Sequence, residues 1–230
     1  MVNALILGAS GELANAIAQK LLEGGWQVDL ATRRVRQDVV AEHFSEALRR
    51  RQARLLPVEN RYSALQVDQP HRAYFFTQAL FTPRPIIAMQ EEEIAAEVEV
   101  GLVDILSSTR NLLLKYPPQQ EERRDFCFIG STSAYSGFRN SAVYCAMKHG
   151  LLGFVRALND EYAQTGARFW LFSMGTMDTA MGRKLFEQDP HTYLQPEDVA
   201  ARIVEAISSP SNIFEPEVIL RRRTIRFRER

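Results

Sequence analysis

The chain has 230 residues, 46% of them hydrophobic, and its 28 basic and 28 acidic side chains leave no net charge. That length suits one α/β domain with a large core, so residues 1–230 are expected to form a single unit. The balanced charge excludes any general attraction to nucleic acid or an anionic membrane, and small-molecule chemistry is the expectation that remains.

Cys127 and Cys145 form neither a disulfide framework nor a metal-ligand spacing, and no metal is expected. The amino-terminal run MVNALILGAS is too short to span a membrane. No basic segment or small-residue cleavage site follows it, which points to a cytoplasmic protein.

Residues 3–7 read as a short buried strand, and Gly8-Ala9-Ser10-Gly11-Glu12-Leu13-Ala14 follows at once. A helix is expected from about Glu12 to Glu23, with Leu13, Ile17, Leu21 and Leu22 on one face and Gly24-Gly25 as its stop. Strand, glycine turn and helix together present free backbone N–H groups to a pyrophosphate. Gly8 permits the tight turn and Gly11 lets phosphates approach the backbone, while Ser10, Glu12 and Leu13 complete the candidate cofactor-binding turn.

The second strand, residues 27–31, ends in Thr32-Arg33-Arg34. An acidic residue here would hold ribose hydroxyls and imply NAD, whereas an arginine accommodates a 2′-phosphate. With Thr32 at the discriminating position and Arg33 and Arg34 after it, NADP(H) is expected in preference to NAD(H).

Residues 36–52 suggest a polar helix that turns Val39, Val40, Phe44 and Leu48 inward. Residues 53–58 read as the third strand, and Pro57 there argues for an edge position or an early termination. Glu59 or Asn60 then falls where adenine would lie, with Asp68 as a second candidate. The connection from 61 to 71 is too short for a full helix, and residues 72–80 read as the fourth strand, placing Thr77, Gln78 and Ala79 beside the cofactor. Glu91, Glu92 and Glu93 open a long helix reaching about Tyr116; their charge suits its dipole and is given no function.

The apolar run 126–130 reads as a fifth strand ending at Ser131, and AVYCAMKHGLLGFVRALNDEYA reads as a helix. Tyr144 and Lys148 lie one turn apart on the same face of that helix. A phenol of ordinary pKa near ~10 is a poor proton donor at neutral pH, and a neighbouring ammonium favours the phenolate. Ser131, thirteen residues before Tyr144, would hold a carbonyl oxygen while the phenol protonates it. This is a reductase geometry.

Residues 168–174 read as a sixth strand, followed by the small-residue loop from Gly175 to Gly182. The carboxyl end of a strand is where open α/β sheets bind ligands, so Gly175 and Met177 are candidate contacts and residues 176–195 a movable flap. Pro196 opens another helix to Ile207, residues 218–220 make a last strand, and the tail RRRTIRFRER is read as a solvated terminus. The alternation predicts an α/β fold, a Rossmann-type doubly wound parallel sheet of about seven strands with helices on both faces.

In its order of elements the whole chain resembles the short-chain dehydrogenases/reductases. Ser131 and Tyr144-x-x-x-Lys148 are similar to the family's serine and its Tyr-x-x-x-Lys; residues 174–181 resemble its P-G-x-V-x-T-x-M turn; P-E-D-V-A at 196–200 also matches. The resemblance implies Tyr144 as general acid/base and Ser131 as the group that orients the carbonyl. It implies that Lys148 lowers the phenol pKa and holds the nicotinamide ribose, so that Tyr144 and Lys148 also count among the cofactor contacts, and that Thr179 meets the carboxamide. Asp104 aligns with the helix asparagine that supports a water path to the lysine.

The departures are Glu12 and Ala14 in place of glycines, Thr77-Gln78-Ala79-Leu80 for N-N-A-G, Asp104 for asparagine and Met174 for proline. They spare the proton-transfer trio and alter positions that support the cofactor. The expected activity is therefore hydride transfer between NADPH and a small carbonyl or alcohol substrate, with a non-catalytic NADP(H)-binding regulator or subunit as the alternative. Phe138, Arg139, Met174, Met177, Met181 and Phe186 are candidate pocket residues. The resemblance also implies a homodimer or homotetramer, paired through helices 94–116 and 143–164.

Overall fold

In the computed structural model, which describes residues 2–185, 188–210 and 213–227, the apolar runs line up as one parallel sheet. The strands are β1 (Asn3–Leu7), β2 (Gln27–Arg33), β3 (Ala53–Val58), β4 (Ala73–Phe76), β5 (Arg124–Ile129), β6 (Ala167–Met174) and β7 (Glu217–Leu220), in the spatial order β3-β2-β1-β4-β5-β6-β7. Every neighbouring pair is parallel. The order reverses between β1 and β4, and there the crevice at the carboxyl ends of the strands opens.

The helices are α1 (Glu12–Glu23), α2 (Gln37–His43), α3 (Ser45–Arg49), α4 (Glu91–Val98), α5 (Asp104–Lys115), α6 (Ala142–Glu161) and α7 (Pro196–Ser208). Side chains alternate across the strands, so β1 sends Ala4 and Ile6 to the layer of α1 and α7, and Leu5 and Leu7 to the layer of α5 and α6. In the second layer Tyr74, Phe126 and Phe169 sit opposite one another on β4, β5 and β6 and stack with ring centroids 4.9 Å apart at each step. Phe76 and Phe128 form a parallel rung at 4.6 Å, so aromatic pairing reinforces the strands that carry the site. Among the described residues no helix is long and apolar enough to cross a membrane.

Several boundaries differ from expectation. The helix expected over 36–52 breaks at Phe44, which packs inward with Val40 and partly buried Leu48, whereas Val39 is exposed. Between β3 and β4 a 3-10 turn at Tyr62–Ala64 stands in for the crossover helix. The fourth strand stops at Phe76 because Thr77 turns to bond the glycine loop. The long helix is continuous from 91 to 115 except for a π-helical stretch, Glu99–Val103, where Gly101 lies so close to Met147 of α6 that a Cβ would collide with its sulfur. The tail is docked: Arg222 donates to Gln188 (2.8 Å) and Thr192 (3.3 Å), and the Arg226 carbonyl accepts from the Asp189 amide (2.9 Å).

Candidate active site

At the end of β1 the chain turns through Gly8 with φ +92°, and a Cβ there would meet Thr77 Oγ1 at 2.8 Å and the Gln78 amide nitrogen at 2.9 Å. Only glycine fits. Thr77 seals the contact by donating to the Leu7 carbonyl at 2.7 Å, and Gly8 and Ala9 donate to the Ala31 carbonyl of β2 at 3.1 and 3.0 Å. Ser10, Gly11 and Glu12 are exposed. The Leu13 side chain is buried in the core, and its main-chain N–H belongs to the first turn of α1, where an N–H has no partner within the helix. A dinucleotide fits this turn on two counts: the glycine cradle, and the Gln78 side chain beside it, whose amide oxygen and nitrogen are both buried without a partner. An orphaned buried amide is costly unless a ligand completes it. Ala79, next in the chain, is partly exposed.

At the end of β2, Thr32 is fully buried with its hydroxyl unpartnered, so its side chain does not reach out to a ribose. Arg33 and Arg34 are both exposed, and Arg34 pairs with Glu59 at 2.5 Å. Asp68 does not attend the adenine position. It holds Arg54, the second residue of β3, at 2.7 Å, together with Asp29 near the start of β2, at the opposite end of the sheet.

The three proton-transfer candidates come together at the end of β5. Ser131 Oγ accepts from the Ser133 amide at 3.1 Å, and its hydroxyl favours ionisation of the Tyr144 phenol. Lys148, 1% exposed, donates to the Ile129 carbonyl at 2.8 Å, and its Nζ lies 5.6 Å from the Tyr144 ring centroid. The electrostatics differ from the sequence expectation. Burial pushes the Tyr144 phenol up to about 12, with the Ser131 hydroxyl pulling the other way, and Lys148 does not offset it. Burial also pushes Lys148 down to about 8. Desolvation is the largest influence on both groups, and the phenol is protonated at neutral pH.

Asp104 has a different place from the one expected. Its two carboxylate oxygens accept from the Tyr62 and Ser63 amides, each at 2.9 Å, so it pins the β3–β4 connection to α5 and is not a water-relay group beside the lysine. Gly101, three residues earlier, makes the close approach to α6.

The loop after β6 closes the crest. Gly175 donates to Leu220 of β7 at 2.9 Å, Met177 bridges to Leu194, and Thr179, buried, accepts from the Gly182 amide at 3.1 Å. Met174 packs in the core and is no pocket residue; Phe138 and Arg139 are exposed, Met181 is partly buried, and Phe186 lies outside the described residues. Sequence reasoning missed Phe81, whose buried ring sits 4.7 Å from that of Tyr144. It also missed Lys184, which donates to the Phe81 carbonyl at 2.7 Å, and buried Glu97, which accepts from the Thr82 amide. Pro83 and Pro85 mark this segment as a loop, but nothing local says that it folds onto the tyrosine.

The model of the short chain dehydrogenase family matches residues 79–190. The chain is 33% identical over 94 residues to a sepiapterin reductase of Chlorobaculum tepidum, a match covering 41% of this chain and 38% of that one. It is 24% identical over 228 residues to an uncharacterised oxidoreductase of Staphylococcus epidermidis, covering 95% and 96%. Among solved structures, an actinorhodin polyketide ketoreductase variant with NADPH superposes with a TM-score of 0.81 at 21% identity, over 96% of this chain and 95% of that one.

Proposed function

We propose that the chain, in which residues 79–190 match the short chain dehydrogenase model, is a member of that family and reduces a small carbonyl compound with NADPH, Tyr144 supplying the proton. Convergence of Tyr144, Ser131 and Lys148 at the carboxyl end of β5 carries this reading. When bound, the nicotinamide supplies the hydride. The remaining work falls to the chain: the Gly8–Leu13 turn and the amino end of α1 hold the pyrophosphate, Arg33 meets the 2′-phosphate, and the Gln78 amide gains a partner. Lys148 binds the ribose hydroxyls, and Ser131 orients the substrate oxygen.

Tyr144 then gives its proton to that oxygen. A phenol held at about 12 is still a far stronger acid than an alcohol, so transfer to a developing alkoxide runs downhill. The reverse reaction starts from the phenolate, so alcohol oxidation gains as pH rises. Phe81 walls the site against the tyrosine ring, and Lys184 fastens that wall to the flap. We further propose a cytoplasmic protein, and pairing of chains through the α4–α5 and α6 helices.

Titration with NADPH and NADH, followed by a panel of ketones and aldehydes monitored through cofactor oxidation, tests the reading. Tighter binding of NADPH and turnover of at least one carbonyl are expected; a clear preference for NADH would remove the role given to Arg33. A second reading, a non-catalytic NADP(H)-binding regulator, is favoured by the packing of Phe81 on Tyr144. NADPH binding with no turnover across the panel would establish it.

A further inference from the structure

Glu12 is the first residue of α1, where a related glycine turn would carry glycine. Its carboxylate crosses the crevice to the flap: both oxygens accept from the Ala180 amide, at 2.9 and 3.1 Å, between residues 168 apart in the chain. The same carboxylate acts electrostatically on Arg183, which is anchored on Asp178 at 2.7 Å. Anions are stabilised at the amino end of a helix, and a pyrophosphate seeks that same position.

We propose that Glu12 sets the affinity for the dinucleotide: its carboxylate is a resident anion at the α1 amino end, tied to the flap through Ala180, that an incoming pyrophosphate must displace. The inference rests on the reading of the Gly8–Leu13 turn as a cofactor site. Glu12 and Ala180 are both exposed, so their hydrogen bond is weak and breaks readily when a doubly charged ligand arrives. The displaced carboxylate stays on the same turn as the phosphates, and the repulsion lowers affinity. Because every nicotinamide dinucleotide carries the pyrophosphate, Glu12 opposes NADPH and NADH alike, whereas Arg33 separates them. Release of Ala180 removes one tie between α1 and the loop after β6, which stays fastened to Phe81 through Lys184.

Calorimetric titration of the full chain and of Glu12→Gln and Glu12→Ala with NADPH and with NADH tests this, together with hydrogen exchange at the Ala180 amide without cofactor. Both variants should bind each dinucleotide about tenfold more tightly, with the ratio between them unchanged, as removal of one nearby like charge requires. Glu12→Ala should speed exchange at Ala180, and Glu12→Gln, which keeps an acceptor and the shape of the side chain, guards against a loss of α1. A parent that binds dinucleotides while neither variant gains affinity would overturn the role of Glu12 alone, as would a gain for one dinucleotide only. Failure of parent and variants to bind either dinucleotide would instead overturn the cofactor reading and this inference with it.

Discussion

Lys148 donates a 2.8 Å hydrogen bond to the carbonyl of Ile129, the last residue of β5, from a position 1% exposed to solvent. A cation buried with one neutral acceptor is a structural liability retained for its use. Lys148→Met should therefore abolish turnover while stabilising the fold.

The pH dependence fixes the sign and size of that gain. Lys148 falls from its ordinary 10.5 to about 8 in the folded chain, so folding is penalised at every pH below about 8 and recovers as pH rises towards 10.5. A shift of that size corresponds to about 3 kcal/mol. Thermal or urea unfolding of Lys148→Met should show an advantage of that order at pH 7 that shrinks steadily above pH 8. An advantage independent of pH would assign it to packing and not to the buried charge. Tyr144 acts with the opposite sign at the alkaline end: with its pKa raised to about 12, its contribution is lost as pH climbs from 10 to 12.

In kinetics, the alkaline limb of kcat/KM for carbonyl reduction should have its midpoint near 8, set by Lys148. The phenol remains protonated far above that range. Alcohol oxidation should instead rise with pH. A rate of reduction that stays level up to pH 10 would contradict the assignment.

Gly8→Ala places a Cβ 2.8 Å from Thr77 Oγ1 on a backbone with φ +92°. A loss of about 2 kcal/mol in unfolding free energy is expected, with loss of dinucleotide binding. Retained affinity would show that the turn does not hold the cofactor.

Asp104→Ala removes the acceptor of one buried and one partly buried amide hydrogen bond and should cost about 2–4 kcal/mol in unfolding free energy. At temperatures where the variant is folded, its pH–rate profile should match the parent's. A displaced alkaline limb would restore the water-relay role that the geometry denies it.

The sheet was legible because parallel strands buried on both faces leave continuous apolar runs: 3–7 and 53–58 keep the limits read from the residues, as does the helix Glu12–Glu23 between glycines. The π-helical stretch at 99–103 was hidden, since the apolar spacing runs through it unchanged. Ser131, Tyr144 and Lys148 were readable because their spacing is local. What surrounds them was not: Glu12 with Ala180 and Lys184 with Phe81 meet across 168 and 103 residues, and residue type alone does not pair them. The depressed lysine and raised phenol had the same origin, for spacing reports neighbours and not desolvation.

Tyr144→Phe, examined by rapid mixing of enzyme preloaded with NADPH against a carbonyl that the parent reduces, bears most directly on the site. The account predicts unchanged NADPH affinity and a loss of at least about a hundredfold in single-turnover hydride transfer, the scale of one general acid. Transfer at the parent's rate would show that the proton comes from elsewhere.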